Sequence, residues 1–132
     1  MKTLIASVFL CLGLLFTQTK LNAQSVYFCE DVTSDGYAIN SSSTFNISSE
    51  GSYLYVLVKL PYQLYCNSVR FEITRNGNYD NTIYMDTESN WVMFWKKINF
   101  YKAGRYNFEV YDEYDIFLAS ATVNIQVNDY LF

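Results

Sequence analysis

Apolar and polar residues alternate along most of this chain with a period of two, and this alternation constrains its fold more than any other feature. In Ser52 to Leu60, one face carries Leu54, Val56, Val58 and Leu60, while the other carries Tyr53, Tyr55, Leu57 and Lys59. Asn67 to Thr74 alternates in the same way, with Val69, Phe71 and Ile73 on the apolar face. Helical periodicity is nearly absent, so the pattern predicts β-strands throughout.

Turn residues separate these segments at intervals of about ten residues, which is typical of short antiparallel strands. Pro61 ends one strand because proline cannot donate to a ladder, and Asn76-Gly77 predicts a tight hairpin leading to a return strand with Ile83 and Met85. Asp31 to Ser43 is rich in turn residues and predicts a loop, with a short strand at Tyr37 to Asn40. We predict an all-β, antiparallel two-sheet sandwich of seven or eight strands; its other strands are Val26 to Glu30, Thr44 to Ser48, Trp91 to Phe100, Arg105 to Tyr111 and Phe117 to Val127.

The first 23 residues have the organisation of a cleavable signal peptide. Lys2 precedes the apolar run Leu4 to Phe16, and a polar stretch then leads to the small residue Ala23. The run is too short to span a membrane, and we expect no membrane span elsewhere. We therefore assign 1–23 to the signal and 24–132 to one domain, exported to the periplasm, the outer-membrane surface or the medium. The junction Asn22-Ala23-Gln24 resembles the signal-peptide ends of secreted Bacteroidota proteins.

Export also affects the charge and the cysteines. Removal of Lys2 and Lys20 changes the net charge from −4 to −6, which argues against a nucleic-acid partner. Cys29 and Cys66 would remain in an oxidising compartment, where a disulfide between them is the default expectation. Two buried free thiols are the alternative.

The segment from Gly104 to Asp112 carries Tyr106, Phe108 and Val110 at alternate positions, and Ala119 to Val123 follows after a turn. This arrangement resembles the last hairpin of immunoglobulin-like and PKD-like sandwiches, and the resemblance places Tyr106 at the tyrosine that closes a corner of that fold. Phe108 occupies the position of the second inter-sheet cysteine of antibody domains. The resemblance therefore implies architecture and no particular ligand.

The residues needed for most catalytic mechanisms are missing. The chain contains no histidine, which removes the usual activation of serine and cysteine nucleophiles and the His-containing metal sites. Glu72 and Glu109 occupy solvent-facing positions in alternating strands and do not suggest a carboxylate pair across a cleft. We expect no enzymatic activity, no cofactor and no metal site.

Calcium is the ion whose oxygen ligands the loops best match. Asp31, Ser34 and Asp35 form one cluster of such groups, and Asp112, Glu113 and Asp115 form another. Neither cluster has an established calcium-loop spacing, and ordinary turn formation explains both better.

Aromatic residues make up 19% of the chain, more than the core of a small domain requires. Some of the rings lie opposite the apolar face of their own strand, and others lie in the loop before Cys66. Either both sheet faces are covered, or these rings form an exposed binding patch. The candidate binding residues are Trp91, Trp95, Tyr53, Tyr55, Tyr62 and Tyr65.

Three functions fit these features. The first is a non-enzymatic envelope or surface module that contacts a protein partner through an aromatic sheet face or an edge strand. The second is a carbohydrate-binding module that stacks sugars on exposed rings. The third is a structural accessory subunit of an outer-membrane or surface assembly.

Overall fold

A computed structural model describes residues 25–128, and the predicted signal peptide lies outside this range. These residues form an all-β fold without helices, so no helix capable of crossing a membrane occurs among them. The strands are β1 (Ser25–Cys29), β2 (Asp31–Val32), β3 (Ala38–Ile39), β4 (Thr44–Ile47), β5 (Ser52–Lys59), β6 (Ser68–Arg75), β7 (Asn78–Asp86), β8 (Met93–Phe100), β9 (Gly104–Asp112) and β10 (Phe117–Val127).

The strands form one sheet of order β1-β5-β8, a second of order β4-β10-β9-β6-β7, and the two-stranded pair β2-β3. The predicted all-β class is confirmed. The described residues contain ten strands where seven or eight were predicted, because β2 and β3, of two residues each, pair inside the predicted loop at 31–43.

The prediction of purely antiparallel pairing is wrong for one pair of strands. β4 pairs in parallel with β10, from Thr44 opposite Asn124 to Ile47 opposite Val127. No hairpin joins these strands, since β4 and β10 are far apart in the chain and meet only when β4 reaches the edge of the five-stranded sheet. Local alternation predicts a strand but does not specify the direction of a distant partner.

The predicted hairpin at Asn76-Gly77 is confirmed. It joins β6 to β7, and both turn residues have positive φ angles of 53° and 84°. Glycine and asparagine are the residues that adopt this region most readily, which explains why the local sequence identifies the turn.

The core lies between the two larger sheets and is rich in aromatic rings. Phe28 of β1 meets Phe108 of β9 edge to face, with ring centroids 5.1 Å apart, and Phe71 of β6 meets Phe94 of β8 at 6.3 Å. Each pair joins a strand of one sheet to a strand of the other. This arrangement is a β-sandwich in its general form.

The structure does not contain the predicted disulfide between Cys29 and Cys66, which are two separate buried thiols. Cys66 belongs to the central core, and its sulfur donates to the carbonyl of Ser68 at 3.3 Å. Cys29 follows core-facing Phe28 and therefore lies on the opposite face of the three-stranded sheet, with its sulfur 3.7 Å from the carbonyl of Tyr55. A sheet separates the two sulfurs, so the bond cannot form without moving the backbone.

Candidate binding surface

The outer face of the three-stranded sheet carries Tyr53 and Tyr55, as the alternation of β5 predicts. Their rings meet edge to face at 6.1 Å, and the ammonium of Lys97 lies 3.8 Å from the centroid of the Tyr53 ring. Tyr53 is 48% exposed, whereas Tyr55 is half-buried. Because Lys97 occupies one face of Tyr53, these two rings form a packed cation–π cluster rather than an open platform.

The β2–β3 hairpin covers part of this outer face. Residues 31–39 contact β1 and β5, and beneath them Leu57 and Cys29 are completely buried. Gly36 lies in the hairpin turn with φ of 84°, and a Cβ atom there would be 2.1 Å from the sulfur of Met93. The outer face is therefore covered near Leu57 and exposed at Tyr53, so it is neither wholly packed nor wholly open.

An apolar groove of about 490 Å³ lies beside the tip of this hairpin. Both tryptophans of the chain, Trp91 and Trp95, contribute to its wall. Ser34 and Asp35 of the hairpin form its polar rim. Its remaining lining residues are Met85, Met93 and Phe94. Indole rings, flexible thioethers and a few polar groups are the composition of many ligand-binding grooves.

Trp91 reaches this groove differently from the sequence prediction, which placed it on the outer face of a strand beginning at residue 91. β8 begins at Met93, and Val92, which would face the core if the strand began at Trp91, is 43% exposed. The Trp91 amide donates to the carbonyl of Glu88 at 3.2 Å, and its indole Nε1 donates to the carboxylate of Glu88 at 3.1 Å. This local turn interrupts the alternation and packs Trp91 against the core.

Tyr62 and Tyr65 lie in the loop between β5 and β6 and do not line the groove. Their loop is nevertheless close to it, because the amide of Leu64 donates to the carbonyl of Trp91 at 2.8 Å. Tyr65 is 71% exposed and Tyr62 is 49% exposed. The structure thus brings Trp91 and Trp95 together in the groove, pairs Tyr53 with Tyr55 outside its lining, and leaves these two loop rings outside both groups.

Sequence reasoning missed Ser34, Asp35 and Met85 as groove residues. Ser34 and Asp35 lie in a turn-rich segment, and Met85 belongs to a strand of the other sheet. No local pattern relates these positions to the tryptophans. Only the folding of the hairpin and of β7 against β8 places them together.

The acidic residues considered for calcium mostly hold turns. The carboxylate of Asp112 is buried and accepts hydrogen bonds from the amides of Tyr114 and Ile116 at 2.8 and 2.9 Å, while Glu113 accepts from the amide of Asn67 at 2.9 Å. Asp115 forms an ion pair with Arg70. Among residues 25–128, no three cysteine or acidic side chains converge as ligands for one ion.

Glu72 and Glu109 face each other across β6 and β9 on the outer face of the five-stranded sheet. Glu72 accepts hydrogen bonds from Arg70 Nε and from the Thr82 hydroxyl, both at 3.0 Å. The Tyr111 hydroxyl donates to Glu109 at 2.6 Å, and this bond raises the pKa of Tyr111. These bonds offset the repulsion expected between like charges at opposed positions.

No protein-family model matches the chain, and no curated protein matches it. The interpretation of the groove therefore depends on its own residues.

Proposed function

We propose that this protein is an exported, non-enzymatic binding module of the cell envelope that contacts a protein partner through the tryptophan groove. The observation that carries the proposal is the presence of both tryptophans in one open, largely apolar groove of about 490 Å³. Tryptophan is among the residues that contribute most to protein interfaces when it is buried by a partner. The missing histidine also favours binding over acid–base catalysis.

The groove has further properties that suit a protein ligand. Met85 and Met93 are unbranched and adapt their shape to a bound side chain. Asp35 at the rim can accept a hydrogen bond and give direction to an otherwise apolar contact. An apolar centre with a polar rim is the usual organisation of a protein interface.

Intrinsic fluorescence tests this proposal because both tryptophans line the groove. Envelope proteins captured by the immobilised protein are identified, purified and titrated against it, and we expect a change in tryptophan emission that saturates. Trp95→Ala should weaken binding by at least roughly tenfold, as expected for a central aromatic contact. Tyr84→Ala is the matched control, because this ring, although next to Met85 in β7, is 71% exposed on the opposite, outer face of the five-stranded sheet and does not line the groove. Equal binding by both variants would reject the groove as the site.

Glycan binding is the second candidate, favoured by the combination of planar indoles with Ser34 and Asp35. Sugars stack on aromatic rings and are oriented by hydrogen bonds to carboxylates and hydroxyls. A glycan array separates the candidates: a saccharide bound by the native protein and lost in Trp95→Ala would favour the glycan. If no saccharide on the array binds above background, the result would favour a protein partner.

We also propose the immunoglobulin-like form of sandwich. Its support is Tyr106, whose hydroxyl donates to the carbonyl of Lys102 at 2.8 Å, four residues upstream. A tyrosine that bonds back to the chain just before its own strand is a feature of that fold.

A further inference from the structure

The free edge of β8 offers a row of backbone groups without partners. β8 ends the three-stranded sheet, and the amide of Leu60 donates to the carbonyl of Val92 at 2.8 Å, in register with the β5–β8 ladder. Bonded and non-bonded pairs alternate in antiparallel sheets. The N–H and C=O groups directed away from β5 therefore belong to Met93, Trp95, Lys97 and Asn99. Within residues 25–128, no backbone group pairs with them.

Two grooves open along this edge. The tryptophan groove is lined by the consecutive residues 93–95, and a second groove of about 180 Å³ is lined by 98–102. Side chains of consecutive strand residues point to opposite faces of the sheet. A groove lined by consecutive residues must therefore lie at the edge of the strand, where side chains from both faces can reach it. β7 contributes to the wall opposite β8 in both grooves, through Met85 in the first and Ile83 in the second.

Between the grooves lie two adjacent lysines, Lys96 and Lys97. Lys97 is exposed, while Lys96 is half-buried and occupies the core-facing register position opposite Val56. Among the described residues, only Arg70 forms ion pairs, so neither lysine is neutralised by a carboxylate. The pair is a positive centre on a chain whose net charge is negative.

This charge decides which kind of strand the edge would accept. In an antiparallel pair with a second copy, odd-numbered residues of β8 must lie opposite odd-numbered ones, because those residues carry the free N–H and C=O groups. The two registers of greatest overlap therefore place either Lys96 opposite Lys96 or Lys97 opposite Lys97 of the second copy. Like charges at opposed positions destabilise strand pairing, and lysines on edge strands oppose self-association. An acidic strand would instead neutralise them.

We propose that the free edge of β8 binds an extended segment of a protein partner as an added strand. Acidic residues of that segment meet Lys96 and Lys97, and apolar side chains on either side enter the two grooves. Backbone hydrogen bonds would supply the affinity and the grooves would supply the specificity, as in other strand-addition complexes. The inference rests on the proposed function, since it names how the partner engages the tryptophan groove.

The test uses a synthetic nine-residue peptide with two central glutamates flanked by alternating threonine and phenylalanine. We expect saturable binding, followed by tryptophan emission, and slower hydrogen exchange at the amides of Trp95 and Lys97. Replacing the glutamates by lysines should weaken binding by at least about tenfold, because like-charge contacts are costly at an interface. Methylating alternate backbone nitrogens of the peptide should abolish it. No binding at millimolar peptide, or equal binding by the acidic, basic and methylated peptides, would overturn the proposal.

Substitutions at Lys97 separate the backbone contribution from the charge. Lys97→Pro removes an N–H that faces the free edge and leaves the β5 ladder intact, which edge strands tolerate. Lys97→Ala removes the charge and keeps the N–H. We expect no binding of the acidic peptide by the proline variant and several-fold weaker binding by the alanine variant. If the proline variant does not fold, the methylated peptide decides the same point.

The purified envelope partner distinguishes failure of this inference from failure of the proposed function. Loss of partner binding in Trp95→Ala with full binding in Lys97→Pro would mean that the groove binds protein without strand addition, and only the present inference would fall. Unchanged binding in both variants would reject both. If the native protein forms a dimer and Lys97→Pro dissociates it, the edge of β8 pairs with a second copy. That result would also overturn the proposal that the edge binds an acidic segment of a partner.

Discussion

The contact between Phe28 and Phe108 gives a quantitative test of the sandwich, because it joins the two larger sheets. Phe108 is completely buried and its ring lies 5.1 Å from Phe28, 6.4 Å from Phe71 and 6.2 Å from Phe100. Phe108→Ala removes a large buried side chain at a site held by three neighbouring rings. We expect the free energy of unfolding to fall by about 3–5 kcal/mol. The total free energy of unfolding of a domain of this size is only roughly 5–15 kcal/mol.

Urea unfolding measures this loss. With a slope of about 1–3 kcal/mol per molar, the midpoint should fall by at least roughly 1 M. Tyr84→Ala on the outer face of the five-stranded sheet is the control and should change stability by no more than about 0.5 kcal/mol.

A double-mutant cycle then isolates the contact between the sheets. Phe28→Leu and Phe108→Leu keep the positions apolar but remove the edge-to-face geometry, which contributes about 0.5–1.5 kcal/mol beyond buried area. We expect a coupling free energy in that range. If the two changes are additive within about 0.3 kcal/mol, the two rings do not contact each other and β1 does not pack against β9 at these positions.

Three further predictions concern the thiols, the turns and the pH dependence of stability. In guanidinium without reductant, alkylation should modify both Cys29 and Cys66, whereas the native protein should react slowly; an unmodified denatured chain would show that the disulfide exists after all. Tyr106→Phe removes the hydroxyl that bonds the carbonyl of Lys102 and should lower the free energy of unfolding by about 1 kcal/mol, whereas Tyr101→Phe should not. Asp112→Ala should lower it by about 1–3 kcal/mol, because two backbone N–H groups lose their acceptor. Urea midpoints check all three variants. Burial raises the pKa of Cys29 above its ordinary value of 9.0 and that of Tyr106 above 10.0, so both stay protonated in the folded state where the unfolded chain ionises. Their contribution to stability should be complete below about pH 9 and lost as the pH rises through the raised values, and Cys29→Ala should flatten this decline.

Residues with strong local signals were predicted well. The core-facing positions of β5 and β6, including Val56, Val58 and Phe71, are buried as the alternation requires. The turn at Asn76-Gly77 forms because those two residues tolerate positive φ. In both cases the determining chemistry lies within a few neighbouring residues, so the sequence is sufficient.

The candidate site was only partly predictable. Trp91 and Trp95 do share one groove, but Trp91 enters it from a turn fixed by Glu88 and not from the face of a strand. Asp35 and Met85 complete the groove from segments that are distant in the chain. Their positions depend on how separate strands pack, which alternation within one strand does not encode.

By itself, the sequence determined that this chain forms short strands with one apolar face each, because side-chain direction in a strand has a period of two whatever its neighbours. Only the tertiary structure decided what covers the second face. It placed the β2–β3 hairpin over Leu57, put Cys29 and Cys66 on opposite sides of a sheet, and left β8 as an edge. Those outcomes depend on contacts between segments far apart in the chain, whose free energies belong to the assembled sheets and not to any local pattern.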